Sequence, residues 1–76
     1  MQRITPVHYS KLIRLFELDG FSQRRQESGH AIMTKPGIKR PLVIPKYREI
    51  PVFVIKNNLR PARMSRGRYF KLLEQV

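Results

Sequence analysis

The stretch Gly20-Phe21-Ser22-Gln23-Arg24-Arg25-Gln26-Glu27-Ser28-Gly29-His30 constrains this chain more than any other. Before it, apolar residues recur at helical spacing. After it, they come in short runs separated by turn residues. Tyr9, Leu12, Ile13 and Phe16 stand at i, i+3, i+4 and i+7, one apolar face of a helix. Leu15 and Leu18 are expected to widen that face, with Lys11, Arg14 and Glu17 in water. Asp19-Gly20 then stops the helix, because glycine takes the left-handed position after a helix end without strain. A helix that hands over to several short strands leads to an α+β domain.

The remaining elements follow from local chemistry. Thr5 before Pro6 reads as a helix N-cap with proline at the first helical position. Phe21 to Gln26 is short and polar, as in an edge strand, and Glu27-Ser28-Gly29 is a turn. From His30 to Lys35, Ala31 and Met33 fall on one side and His30, Ile32 and Thr34 on the other. Pro36-Gly37 is a turn dipeptide, and Leu42-Val43-Ile44 between two prolines is a short buried strand. A helix is expected from about Pro51, with Val52, Ile55 and Leu59 on one face; the β-branched content leaves a strand open for Val52–Ile55. Arg60-Pro61-Ala62-Arg63 is expected to break it. Ser65 caps a last helix whose stripe is Tyr69, Leu72, Leu73 and Val76. The expected architecture is one α-β-β-β-α domain over residues 1–76, a three-stranded antiparallel sheet with helices on one face. The other face, carrying either Arg24 or Arg25, is left to solvent or ligand.

A chain of 76 residues is near the lower limit for folding on a hydrophobic core alone. With no cysteine, neither a disulfide nor a thiolate zinc site can reinforce it. The formal net charge is +11, and its distribution says more than its size. Residues 35–71 hold eleven Lys or Arg against one acid, Glu49, so ten of the eleven net charges lie there. Such a surface attracts polyanions, and phosphate is the obvious partner. No segment approaches the roughly 18 apolar residues that span a bilayer, and the first residues lack a signal-peptide run. The expectation is a soluble, cytoplasmic protein with no membrane partner.

The chemistry available is narrow. His8 and His30 are far apart in sequence, the five acids show no ligand spacing, and glycine-rich phosphate loops are absent. Metal and small-molecule cofactors are therefore not expected. Acid–base chemistry on RNA remains, because RNA brings its own nucleophile, the 2′-hydroxyl. A base must take its proton, cations must stabilise the phosphorane, and an acid must protonate the departing 5′ oxygen. His30 beside Arg24 and Arg25 supplies part of this; a second proton carrier is not evident, with Tyr47 and Lys46 as candidates. A lone histidine at a strand start is more often simply exposed, and His8 is read as a surface residue.

Several short motifs, in order, carry a resemblance. Leu18-Asp19-Gly20-Phe21 ends the first helix, Arg25-Gln26 follows, and Ser28-Gly29-His30 forms the turn. Ile44-Pro45, Glu49-Ile50, Leu59-Arg60 and Tyr69-Phe70 continue the series. In these the chain resembles the HicA family of mRNA-cleaving toxins from toxin–antitoxin pairs. The resemblance implies a fold similar to the double-stranded-RNA-binding domain and a metal-independent endoribonuclease with His30 catalytic. It also implies RNA contacts from Arg24, Arg25, Ser28, Gly29, Lys39 and Arg40, and an acidic HicB-type antitoxin that covers the site. The chain departs from the family in three places: Tyr47 replaces a second histidine, Phe53-Val54 replaces a Gly-Thr pair, and Ser28-Gly29 inverts the usual order. A non-catalytic RNA-binding module of the same fold is the alternative.

Overall fold

The computed structural model describes the backbone of residues 2–27 and 29–76, with the side chains of all of these except 25–27. Helix α1 (Tyr9–Leu18) is followed by strands β1 (Ser22–Glu27), β2 (His30–Thr34) and β3 (Leu42–Pro45). Two helices, α2 (Val52–Ala62) and α3 (Arg66–Leu73), complete the order. The strands form one antiparallel sheet in the order β1-β2-β3, so β2 is central. Along β2, Ala31 and Met33 are buried while His30 is exposed and Ile32 and Thr34 are half-buried. In β3, Leu42 and Ile44 are buried and Val43 is exposed. One sheet face therefore meets the helices in a core built on Leu12, Leu15, Phe16, Ile55, Tyr69 and Leu72. The other face stays open, as the alternation predicted.

Several elements differ from the sequence expectation. Helix α1 does not begin at Thr5-Pro6. Val7 is held extended in an isolated antiparallel bridge with Ile50, whose N–H donates to the Val7 carbonyl at 2.7 Å. The cap is His8, whose Nδ1 accepts from the Ser10 N–H at 3.1 Å. A backbone N–H can only donate, so Nδ1 is the acceptor and the ring hydrogen sits on Nε2. By analogy with oxygen caps, His8→Ala should lose about 1 kcal/mol of stability in urea unfolding, and His8→Asn should retain most of it. Equal stabilities for His8→Ala and the parent would rule this cap out as a stabilising element.

Leu18, expected on the apolar face, is exposed at the end of α1. Helix α1 ends as predicted: Gly20 has φ +102, with Phe21 N–H donating to the Phe16 carbonyl and Gly20 N–H to that of Glu17. Helix α2 ends by the same pair of bonds, from Met64 to Leu59 and from Arg63 to Arg60. Here the left-handed residue is Arg63, at φ 55, rather than a glycine. Pro61, read as a breaker, is accommodated inside α2. A proline in the last turn gives up one helical hydrogen bond, which the C-terminal pair offsets. Ser65 caps α3 as expected, accepting from the Arg68 N–H at 3.1 Å.

Two side chains join the layers. Asp19, just past α1, accepts from Lys35 Nζ at 3.3 Å and from Arg68 Nε at 3.1 Å. It thus ties the ends of α1 and β2 to α3. Asn58 of α2 is buried, and its Nδ2 donates to the Val43 carbonyl of β3 at 3.2 Å and to the Val54 carbonyl at 3.1 Å.

Tyr69 is buried in the core, and its Oη has no hydrogen-bond partner among the described residues. Burial pushes this phenol above its ordinary value of 10.0. Above that pH the unfolded chain loses the proton while the folded chain keeps it, so stability falls as pH rises past 10. Tyr69→Phe should abolish that part of the alkaline loss. It should leave stability at pH 7 equal or higher by up to about 1 kcal/mol, since an unpaired hydroxyl is removed. Urea unfolding at pH 7 and pH 10.5 checks both; a clear loss at pH 7 would mean the hydroxyl has a partner.

Candidate functional site

The short link between α1 and β1 makes them antiparallel, so one end of the domain gathers four features. These are the start of α1, the β1–β2 turn, the start of β2 and the end of β3. Backbone hydrogen bonds fix their arrangement. Lys46 N–H donates to the Gly29 carbonyl at 3.0 Å, and Tyr9 N–H to the Tyr47 carbonyl at 3.2 Å. His30 pairs in register with Glu27 on β1 and Pro45 on β3. His30 therefore stands exposed at the head of the central strand, on the open face, with residues 45–47 at its side. The bond from Tyr9 to Tyr47 brings the start of α1, capped by His8, to the same segment.

Of the other residues singled out from the sequence, the fold brings some to His30 and leaves others away. A bulge between Gln23 and Arg25 shifts the β1 register, so that Gln23 faces Met33 and Arg25 faces Ile32. Arg24 is the extra, exposed residue at this bulge. Since Ile32 shares its side of the sheet with His30, the backbone places Arg25, rather than Arg24, at a register position of the open face. Gly29 is exposed, and a Cβ added there would meet nothing within 4 Å, so space alone does not demand glycine. Ser28 lies outside the described residues. Lys39 and Arg40 are exposed in the β2–β3 loop, which leaves the opposite end of β2 from His30. Five strand residues separate the two ends, about 15 Å.

At this end the fold places Lys46 and Tyr47, the proton carriers named from the sequence, together with residues that sequence reasoning did not place there. Lys46 is half-buried and Arg48 exposed in the segment after β3. Tyr47 is 54% exposed and Val43 45%. Phe53 is 66% exposed, because Val52, Ile55 and Leu59 occupy the inward side of α2. Among the described residues, no three His, Cys, Asp or Glu side chains gather as metal ligands. Among the described residues, no helix is long and apolar enough to cross a membrane.

These features define a small, strongly basic α+β domain in which helices cover one face of a three-stranded sheet and a histidine stands on the other. Comparison with protein families narrows the class. The family model for the HicA toxin of bacterial toxin–antitoxin matches residues 9–64, from the first residue of α1 to the end of α2 and Met64, and the chain belongs to that family. It carries a toxin's fold, and its family implies an antitoxin partner. No curated protein matches the chain.

Proposed function

We propose that residues 1–76 act as one HicA-like domain, a metal-independent endoribonuclease that cleaves mRNA in the cytoplasm, held in check by an acidic HicB-type antitoxin. The observation that carries this reading is His30, exposed on the open sheet face at the head of the central strand in a member of a toxin family. A single strand of RNA lies along the open face. His30 moves a proton at one of the two reacting oxygens. It either takes the proton of the 2′-hydroxyl as that oxygen attacks phosphorus, or gives one to the 5′ oxygen as the P–O bond breaks. The products are a 2′,3′-cyclic phosphate and a free 5′-hydroxyl, so the phosphodiester itself balances the reaction.

Arg25, in register on the open face, and Arg24 at the bulge contribute charge to the phosphate. Lys46 and Tyr47, beside the Gly29 turn, are candidates for the second proton carrier. Ser28 and Gly29, next to His30 in sequence, contact the RNA backbone there. Lys39 and Arg40, about 15 Å along the strand, contact flanking phosphates rather than the one that is cut. That separation favours a second reading, a non-catalytic RNA-binding module, since part of the basic surface lies away from the histidine. The test is incubation of a long single-stranded RNA with the protein and with His30→Ala, EDTA present in both. Cleavage by the parent alone supports the nuclease. Binding without cleavage by both leaves the module, and cleavage by both removes His30 from the chemistry.

A further inference from the structure

A second basic feature lies on the helical side of the domain. Two adjoining depressions of about 350 and 410 Å³ share Ile4, Lys56 and Arg66. Together they form a cleft between the N-terminal segment, α2 and the start of α3, outside the open sheet face that carries His30. Its rim holds four exposed cations, Arg3, Lys56, Arg60 and Arg66, and no carboxylate stands among the described lining residues. Its floor is aliphatic, built on Ile4 and Leu59.

Part of the rim is set in advance. Arg66 Nη2 donates to the Gln2 carbonyl at 2.8 Å, and its guanidinium lies over the Phe70 ring at 5.7 Å. This bond also fastens the N-terminal segment that forms one wall. Like-charged side chains held around one depression, with no acid among them, favour a ligand that brings several negative charges.

We propose that this cleft is a docking site for an acidic peptide segment with an aliphatic anchor residue, supplied by the antitoxin partner. The inference rests on the toxin–antitoxin reading. Carboxylates of the segment meet Arg3, Lys56 and Arg60, and the anchor covers Ile4 and Leu59. Among the described lining residues there is no aromatic side chain on which a base could stack, which disfavours single-stranded RNA as occupant. A partner anchored here grips the toxin independently of whatever it lays over His30.

The test is a titration of isotope-labelled protein, followed by amide chemical shifts, with a synthetic peptide of repeated Glu-Glu-Leu units. A single-stranded RNA dodecamer is titrated separately. The peptide should shift amides of residues 2–4, 52–60 and 64–66, and its affinity should fall at least tenfold in Lys56→Glu/Arg60→Glu and in Lys56→Gln/Arg60→Gln. Replacing its leucines by serine should also weaken it. Peptide shifts spread evenly over the surface or centred on the His30 end would overturn the proposal, as would RNA displacing the peptide from the cleft. Cleavage of RNA by both double variants should match the parent. If the parent itself leaves RNA intact, the nuclease reading fails while the peptide map still decides the cleft.

Discussion

His30→Ala should lower RNA cleavage by at least 100-fold while leaving the fold and most of the RNA affinity in place. The magnitude follows from the typical contribution of one positioned proton-transfer group, about 10²–10⁴ in rate. Retention of the fold follows from position. The His30 side chain is exposed at a strand end, and surface changes of this kind alter stability by no more than about 0.5 kcal/mol. Retained affinity follows from charge, since in the proposed complex phosphate contact rests on cations such as Arg24, Lys39 and Arg40 rather than on one imidazole. In cells, expression of the parent should arrest growth and expression of the variant should not. Undiminished arrest by a well-expressed His30→Ala protein would move the chemistry elsewhere on the surface.

Phe16→Ala should lower the thermal midpoint of the domain by about 12 °C or more. Phe16 is fully buried and meets Phe21 edge to face, with ring centroids 5.4 Å apart. Removing such a ring from a packed core costs about 3–5 kcal/mol. A chain of 76 residues has roughly 4–11 kcal/mol in total at the usual stability per residue. Without a disulfide nothing else limits the unfolded state. Phe53→Ala provides the contrast, because that ring is 66% exposed on α2 and its loss should shift stability by no more than about 0.5 kcal/mol. Circular dichroism of the two variants during heating would separate them at once. A folded Phe16→Ala protein with a transition near the parent's would mean that the ring adds little to the core.

What the sequence made legible was local. The stripe of α1, the glycine stop at Gly20, the two faces of β2 and the Ser65 cap each depend on neighbours within a few positions. What it hid depends on distant ones. His8 became the cap because Ile50, forty-two positions away, holds Val7 extended. Pro61 reads as a breaker in any window, and only its place in the last turn makes it tolerable. The bulge at Arg24 cannot be seen in a run of polar residues, and it decides which arginine shares a face with His30.

The candidate site divides the same way. His30 stood out as the one titratable side chain at a turn among cations. Lys39 and Arg40 are close to it in sequence but belong to the other end of the strand. The cleft near Lys56 joins three segments that no spacing rule connects.

The bond from Asn58 to the Val43 carbonyl has a bearing on how this protein behaves in a tube. Strand β3 is four residues long, follows Pro41 and ends in Pro45, and one of its carbonyls is occupied by Asn58. That margin of the sheet offers little to another strand. Strand β1, six residues long, is the margin left available, and mutual repulsion between +11 molecules guards it. Concentrated salt removes the repulsion without altering the strand. Storage at low ionic strength should therefore keep the protein dispersed, and desalting rather than salting is the way to recover a clouded sample.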